Sequence, residues 1–402
     1  MAYIGVSNDT DSEKAGREAA RTAKNQFKNK ETTSWVLAFC GGRHEAGSVL
    51  AGIRFELGDV PIYGGATAGI LTNDSIGYTG YECGLAIFTS ASHVPDVVVN
   101  NDLKAGEFKA GKEIGLALDE ITVEGDTVLL FYTNLRSIPP PVLYTGSTLM
   151  DGLYAGLKKG AVNIIGSGLV GDFSFSPSFV FDGCKAVEHS VIGIVIPGGI
   201  TPHTRIMHGC KPISLFKEIT RIDGPVLYEL DGRPATDVFS EMLGVASKEL
   251  CNLKKPFIVT LGKKYGEPYA PFNEQMYVNR LVIDSDHEKG SVTIFEADFQ
   301  QGDMVQVMSR DNHLMVESVG SGTAELIENT DLGNSEFALY IDCAGRASGF
   351  SGSEIEEADV VRKTIGKSVP FLGFYSGVEI APFLGRSRPL DWTGVLTIFT
   401  NG

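Results

Sequence analysis

The chain has no long apolar run: nowhere do 18 apolar residues follow one another, so no segment reads as a membrane-spanning helix. It is short of basic side chains, with 34 Lys and Arg against 50 Asp and Glu and a formal net charge of −16. Such a surface repels a phosphate backbone instead of releasing its counterions, which argues against nucleic acid as a partner. The opening MAYIGVSNDTDSEK carries neither a basic nor an apolar targeting stretch, so the expectation is a cytoplasmic protein with no membrane insertion. Cysteine is scarce as well. Cys40, Cys83, Cys184, Cys210, Cys251 and Cys343 include no C-x-x-C pair, which excludes a disulfide scaffold, a zinc ribbon and a dithiol redox motif.

What is there points to a large packed core, since 43% of the 402 residues are apolar. The 48 glycines exceed the usual share of about 7%. They form no low-complexity tract and fall where strands should end.

Apolar periodicity predicts an α/β fold built from three related β-α-β-α-β-β units. The first, over 1–92, reads YIGVS, a helix from Asp11 to Phe27, WVLAF, a helix from Ala46 to Leu57, VPIYG and CGLAIFTS. Thr10 and Glu13 have capping-box spacing, and Ala15, Ala19, Ala23 and Phe27 form an i+4 stripe. The second unit, over 93–196, runs from DVVVN to VIGIVIP, and the third, over 303–402, from MVQVM to VLTIFTN. Between them, 197–302 form a β-rich insert with a hairpin, YVNRLVID and SVTIFEA, around DHEKG; it is expected to be a smaller lobe. Superposing the units, which implies a pseudo-threefold arrangement, pairs AFCGGR with FYTNLR and IDCAGR. Arg43, Arg136 and Arg346 then share one position at strand C-terminal ends, where ligands of α/β sheets sit.

A guanidinium is a planar fork of donors that fits a carboxylate or phosphate, so three of them gathered together would hold an anion. The alternative is that each pairs with one of the abundant acids. GSGLVG satisfies G-x-G-x-x-G, but DFSFSPSFVFDG follows it, leaving no helix N-terminus for a pyrophosphate and excluding a dinucleotide site. Asp172 and Glu379 end two equivalent glycine turns and would receive a ligand ammonium, or else cap turns. His203, His208 and Cys210 form the one close group of soft ligands, without an established zinc spacing. Cys210 and Cys343 lie near basic side chains that would lower a thiol pKa, against the alternative of core filling. No G-x-S-x-G elbow is present, and no Ser-His-Asp order stands out.

GGATAG, GSGLVGDFSFSPSFVFDG, HGCKPIS, ELDGRPA, CAGR and GFYSGVEI together resemble the FIST family of F-box and intracellular signal transduction proteins. The resemblance implies an N-type region over 1–196 and a C-type region over 197–402. It also implies a sensor of small molecules such as amino acids that signals to a separate protein. On the matching positions it points to Gly65, Thr67, Gly69, Gly171, Asp172, Cys210, Cys343, Arg346, Gly377 and Glu379 as ligand-binding residues. The chain departs from the family pattern at Ala66 and at Asp391, Trp392 and Thr393. No cofactor is expected, with haem at the His203, His208 and Cys210 group as the alternative. Hydrolysis of a small cyclic or linear amide, with Cys343 or a serine attacking, is the enzymatic alternative, and a pure scaffold is a third reading.

Overall fold

Alternation of short apolar runs with amphipathic segments produces, in the computed structural model, a mixed α/β protein with several sheets. The structure describes residues 2–28, 31–89, 94–158, 162–244 and 260–401. Cys251 and the start of the PFIVTLG segment lie outside them. Contacts divide the chain into two units, one of residues 1–206, 319–389 and 393–402, the other of 207–318 and 390–392.

The larger unit holds three six-stranded sheets. Its first stretch runs β1 (Ala2–Ser7), α1 (Ser12–Lys24), β2 (Thr33–Gly41), α2 (Ala46–Leu57), β3 (Ile62–Thr67), β4 (Ile70–Thr72), β5 (Ile76–Gly77) and β6 (Cys83–Thr89). The second runs β7 (Asp96–Asn100), α3 (Glu107–Ile121), β8 (Thr127–Thr133), α4 (Gly146–Gly156), β9 (Asn163–Leu169), β10 (Val180–Gly183), β11 (Ala186–Val187) and β12 (Val191–Ile196). The third has β13 (Ile200–Met207), α5 (Asn312–Glu328), β14 (Ser335–Cys343), α6 (Glu357–Ile365), β15 (Phe371–Ser376), β16 (Val378–Phe383), β17 (Arg386–Leu390) and β18 (Gly394–Asn401).

The sheet orders are β1-β6-β2-β3-β10-β11, β7-β12-β8-β9-β16-β17 and β13-β18-β14-β15-β4-β5. In each, the pair β2–β3, β8–β9 or β14–β15 is parallel, as a helical crossover requires. Each stretch also gives its short hairpin away: β4-β5 joins the third sheet, β10-β11 the first and β16-β17 the second. Phe39, Phe131 and Phe374, fully buried on β2, β8 and β15, meet with ring centroids 4.1–6.0 Å apart.

The first strand of the third sheet is Ile200–Met207, and not MVQVM as periodicity suggested. MVQVM lies on Met304–Ser309, which pairs inside the smaller unit. Both segments suit a strand, and only non-local pairing decides which sheet each joins. In the smaller unit, Met304–Ser309, Lys217–Asp223, Val226–Leu230, Ser291–Ile294, Tyr277–Asp286 and Thr260–Lys264 form a ring, because the last strand pairs back to the first. Closure removes exposed edges, and Phe239 on the helix Ala235–Leu243 fills the interior with Leu261, Val292 and Val307. The expected hairpin is present, with Asp286 opposite Ser291.

Helix α1 begins on Asp11, whose carboxylate accepts the Lys14 N–H, and not on the Thr10–Glu13 box. Its small-residue face lets α2 approach backbone to backbone: a Cβ on Gly16 would stand 2.2 Å from the Val49 carbonyl, and one on Gly52 2.0 Å from that of Glu13. Alanine in a helix normally gains about 1 kcal/mol over glycine. Here overpacking reverses the sign, and Gly52→Ala should lose about 1–3 kcal/mol in urea unfolding. Gly320→Ala on α5, where the nearest atom is a flexible Val360 methyl at 3.5 Å, should keep the normal gain.

Candidate functional site

Several buried ionisable and polar groups lie at and just beyond the C-terminal ends of β8, β9, β14 and β15. Asp342, at the end of β14, and Arg346, in the turn after it, are both fully buried, with Nε 3.2 Å from Asp342 Oδ1. Glu357, the first residue of α6, receives Arg346 Nε at 2.9 Å and the Tyr340 hydroxyl at 3.1 and 3.2 Å. On the next strand, the Ser376 hydroxyl donates to Glu379 at 2.8 Å, and Glu379 is fully buried too.

Carboxylates therefore outnumber the guanidinium, in a place water does not reach. Burial, and then the charge of Glu357, raises the Asp342 carboxyl well above its ordinary range. Burial opposes the charge on Arg346, but Glu357 and Asp342 outweigh it and hold the guanidinium protonated. Burial also raises the Tyr340 and Tyr375 phenols. Both amide atoms of Asn134 and the Ser167 hydroxyl are buried without a hydrogen-bond partner among the described residues. Ser167 stands opposite Glu379 in the β9–β16 register, and a Cβ on Gly377 would lie 2.4 Å from Asn134 Nδ2.

Aromatic side chains border this set. Tyr375 donates to Glu356 at 2.8 Å and meets Tyr78 edge-on at 5.8 Å. Phe173 stacks on the exposed Phe350 at 4.0 Å and meets Tyr78 at 5.8 Å. The Tyr78 hydroxyl lies 3.2 Å from that of Ser348.

The three arginines occupy three different settings. Only Arg346 is buried; Arg43 is exposed with its guanidinium 5.5 Å from the Tyr81 ring, and Arg136 is exposed, 3.7 Å from Glu107. The anticipated cradle of three guanidiniums is thus replaced by one guanidinium among acids. For Arg136 and Arg346 ion pairing is the observed state. The glycine positions link sheets together. Gly42 N–H donates to Gly171 O at 2.5 Å, Gly377 N–H to Gly168 O at 2.9 Å, and Tyr375 N–H to Gly69 O at 3.1 Å. Thr67 supports the last crossing, its hydroxyl reaching Gly69 O at 2.8 Å and Tyr375 O at 2.9 Å. Gly65 lies inside β3, opposite Val180.

Asp172 caps its own turn by accepting the N–H groups of Ser174 and Ser176 and the Ser176 hydroxyl. Cys343, at the end of β14, donates its N–H to Thr393 O at 3.2 Å. Cys210 lies in the smaller unit, buried with Tyr277, Met308 and Met315. Its N–H donates to His208 Nδ1 at 2.9 Å, while His208 Nε2 meets the Glu274 carbonyl at 3.0 Å. His203 lies 3.0 Å from the Thr400 hydroxyl in the larger unit, whereas His208 and Cys210 belong to the smaller unit. No cluster of three His, Cys, Asp or Glu suited to a metal occurs among the described residues.

Asp391, a departure from the family pattern, also lies in the smaller unit, where it accepts Leu281 N–H at 3.0 Å beside Arg280. Burial pushes its carboxyl up to about 6. Sequence reading missed Asp342, Glu357, Asn134 and Ser167. Asp342 stands inside the DCAGR motif and was open to notice; Glu357 carries no local signal, as its role depends on where α6 starts relative to β14.

Removing the cation alone strands its carboxylates, so Arg346→Met should cost about 3–5 kcal/mol in chemical unfolding. Asp342 binds its proton more tightly folded than unfolded, so its contribution to stability falls as pH rises from the ordinary carboxylate range through its raised folded value. Asp342→Asn should remove that contribution, seen as a smaller loss of urea midpoint between pH 5.5 and pH 7.5 than in the unsubstituted protein.

Comparison with known proteins gives the FIST N domain over residues 34–233 and the FIST C domain over 235–382. An uncharacterized protein of Mycobacterium bovis is 24% identical over 267 residues, covering 66% of this chain and 67% of its own. One from Mycobacterium tuberculosis is 23% identical over 269 residues, with the same coverage. One from Methanocaldococcus jannaschii is 26% identical over 238 residues, 58% of this chain and 44% of its own. With both domains matched across most of its length, the chain belongs to the FIST family, whose domains generally serve sensing and signal transduction.

Proposed function

We propose that this chain is a small-molecule sensor of FIST type that binds an amine-bearing, zwitterionic metabolite such as an amino acid and signals to a separate cytoplasmic protein. The observation that carries the reading is the surplus of buried carboxylates: Asp342, Glu357 and Glu379 around the single cation Arg346. An anion entering there would add to the surplus, whereas an ammonium offsets it and donates to carboxylate oxygens. The unpartnered Asn134 amide and Ser167 hydroxyl add donors and acceptors for the same guest. Tyr78, Phe173 and Phe350 supply apolar surface for its side chain. The matched order of the three sheets supports reading them as copies of one triplicated unit in a pseudo-threefold arrangement.

A thermal-shift screen of amino acids, their des-amino acids and their decarboxylated amines tests this. Amine-bearing compounds should raise the melting temperature, with about 2.7 kcal/mol gained at 100 times the dissociation constant. Glu379→Gln should abolish the shift. Stabilisation by des-amino acids alone, or an unchanged shift in the variant, would overturn the proposal.

A further inference from the structure

Outside the acid-rich site, Ser12 and His44 come together from opposite ends of the first β-α-β segment. Ser12 is the first residue of α1, and His44 follows β2. The hydroxyl lies 3.1 Å from His44 Nδ1, and His44 Nε2 lies 2.8 Å from the Tyr81 carbonyl oxygen. A carbonyl only accepts, so Nε2 carries the ring proton and the neutral ring presents a lone pair at Nδ1. The Ser12 hydroxyl therefore donates to the imidazole, the polarity a nucleophile and its general base require. His44 is 6% exposed and Ser12 half-buried, so the base is shielded while the hydroxyl reaches the surface.

Two further features suit acyl transfer. The Glu45 N–H donates to Ser12 Oγ at 3.0 Å and fixes the hydroxyl's rotation. Asp11 caps the Lys14 N–H and accepts Ala15 N–H through its carbonyl, while the N–H groups of Ser12 and Glu13 have no acceptor among the described residues. These open donors sit at the positive end of a 13-residue helix, beside the nucleophile, where an oxyanion would form.

We infer that Ser12 and His44 form a serine–histidine dyad that cleaves small acyl esters, an activity separate from ligand sensing. Ser12 Oγ attacks the acyl carbon and its proton passes to His44 Nδ1. The ester C–O bond breaks, and the departing alkoxide takes that proton as an alcohol. Water then attacks the Ser12 acyl ester, giving its proton to His44, and Ser12 leaves with that proton as the free acid forms.

The test uses the full chain, a fluorophosphonate probe that phosphonylates activated serines with loss of fluoride, and p-nitrophenyl acetate as substrate. Peptide mass spectrometry should place the adduct on Ser12, and His44→Gln should slow labelling and acetate release by about 100-fold or more. Melting curves of both proteins establish that the variant is folded. No adduct on the unsubstituted protein, an adduct on another serine, or labelling that is equal in folded His44→Gln would overturn the inference. A purely structural Ser12–His44 hydrogen bond predicts the first of these outcomes.

Discussion

The three-sheet body depends on peptide hydrogen bonds made at glycines where the chain passes from one sheet to the next. Gly42 N–H meets the Gly171 carbonyl between the segments that follow β2 and β9, while Gly377 N–H meets Gly168 O and Tyr375 N–H meets Gly69 O where β16 and β4 join the sheets they extend. Each crossing lets a hairpin leave its own sheet and extend a neighbour. At Gly42 an added Cβ would lie 2.7 Å from the Gly171 peptide, inside the range real contacts avoid. Because every sheet both donates and receives a hairpin, none is complete alone. The residues a sequence comparison ranks as motif are, at these positions, the joints of the fold.

The same joints deliver the buried charges. Once the chain passes from β15 into β16, which pairs with β9, Glu379 is carried opposite Ser167 and Gly377 beside Asn134, and α6 brings Glu357 onto Arg346. Buried carboxylates in excess over cations are costly to desolvate. Arg43 and Arg136 follow β2 and β8 as Arg346 follows β14, but in different environments. Arg136 lies 3.7 Å from Glu107, the first residue of α3, and Arg43 stands near the Tyr81 ring, both side chains being exposed. The three sheets thus share one strand order, while the buried charges gather along β14, β15 and the β9–β16 pair of the third and second sheets.

Much of the architecture was legible from the chain alone. Local periodicity located most helices and strands, because burial of one face imposes spacing on every segment separately. It misassigned MVQVM, and placed the α1 cap one residue early, because neither the sheet a strand joins nor the residue that folds back onto an N–H is written in periodicity. Of the site, Arg346, Gly377 and Glu379 were visible as motif residues, whereas Glu357, Asn134 and Ser167 were not.

Sequence by itself determined the α/β class, the family and the recurrence of glycines, arginines and acids at strand ends. Only the tertiary structure decided which arginine is buried, which carboxylates surround it, and that Ser12 meets His44. The reason is physical: local spacing governs which face of an element is apolar, but ion pairs and hydrogen bonds between distant segments exist only after the sheets exchange hairpins and bring those segments within 3 Å or so of one another.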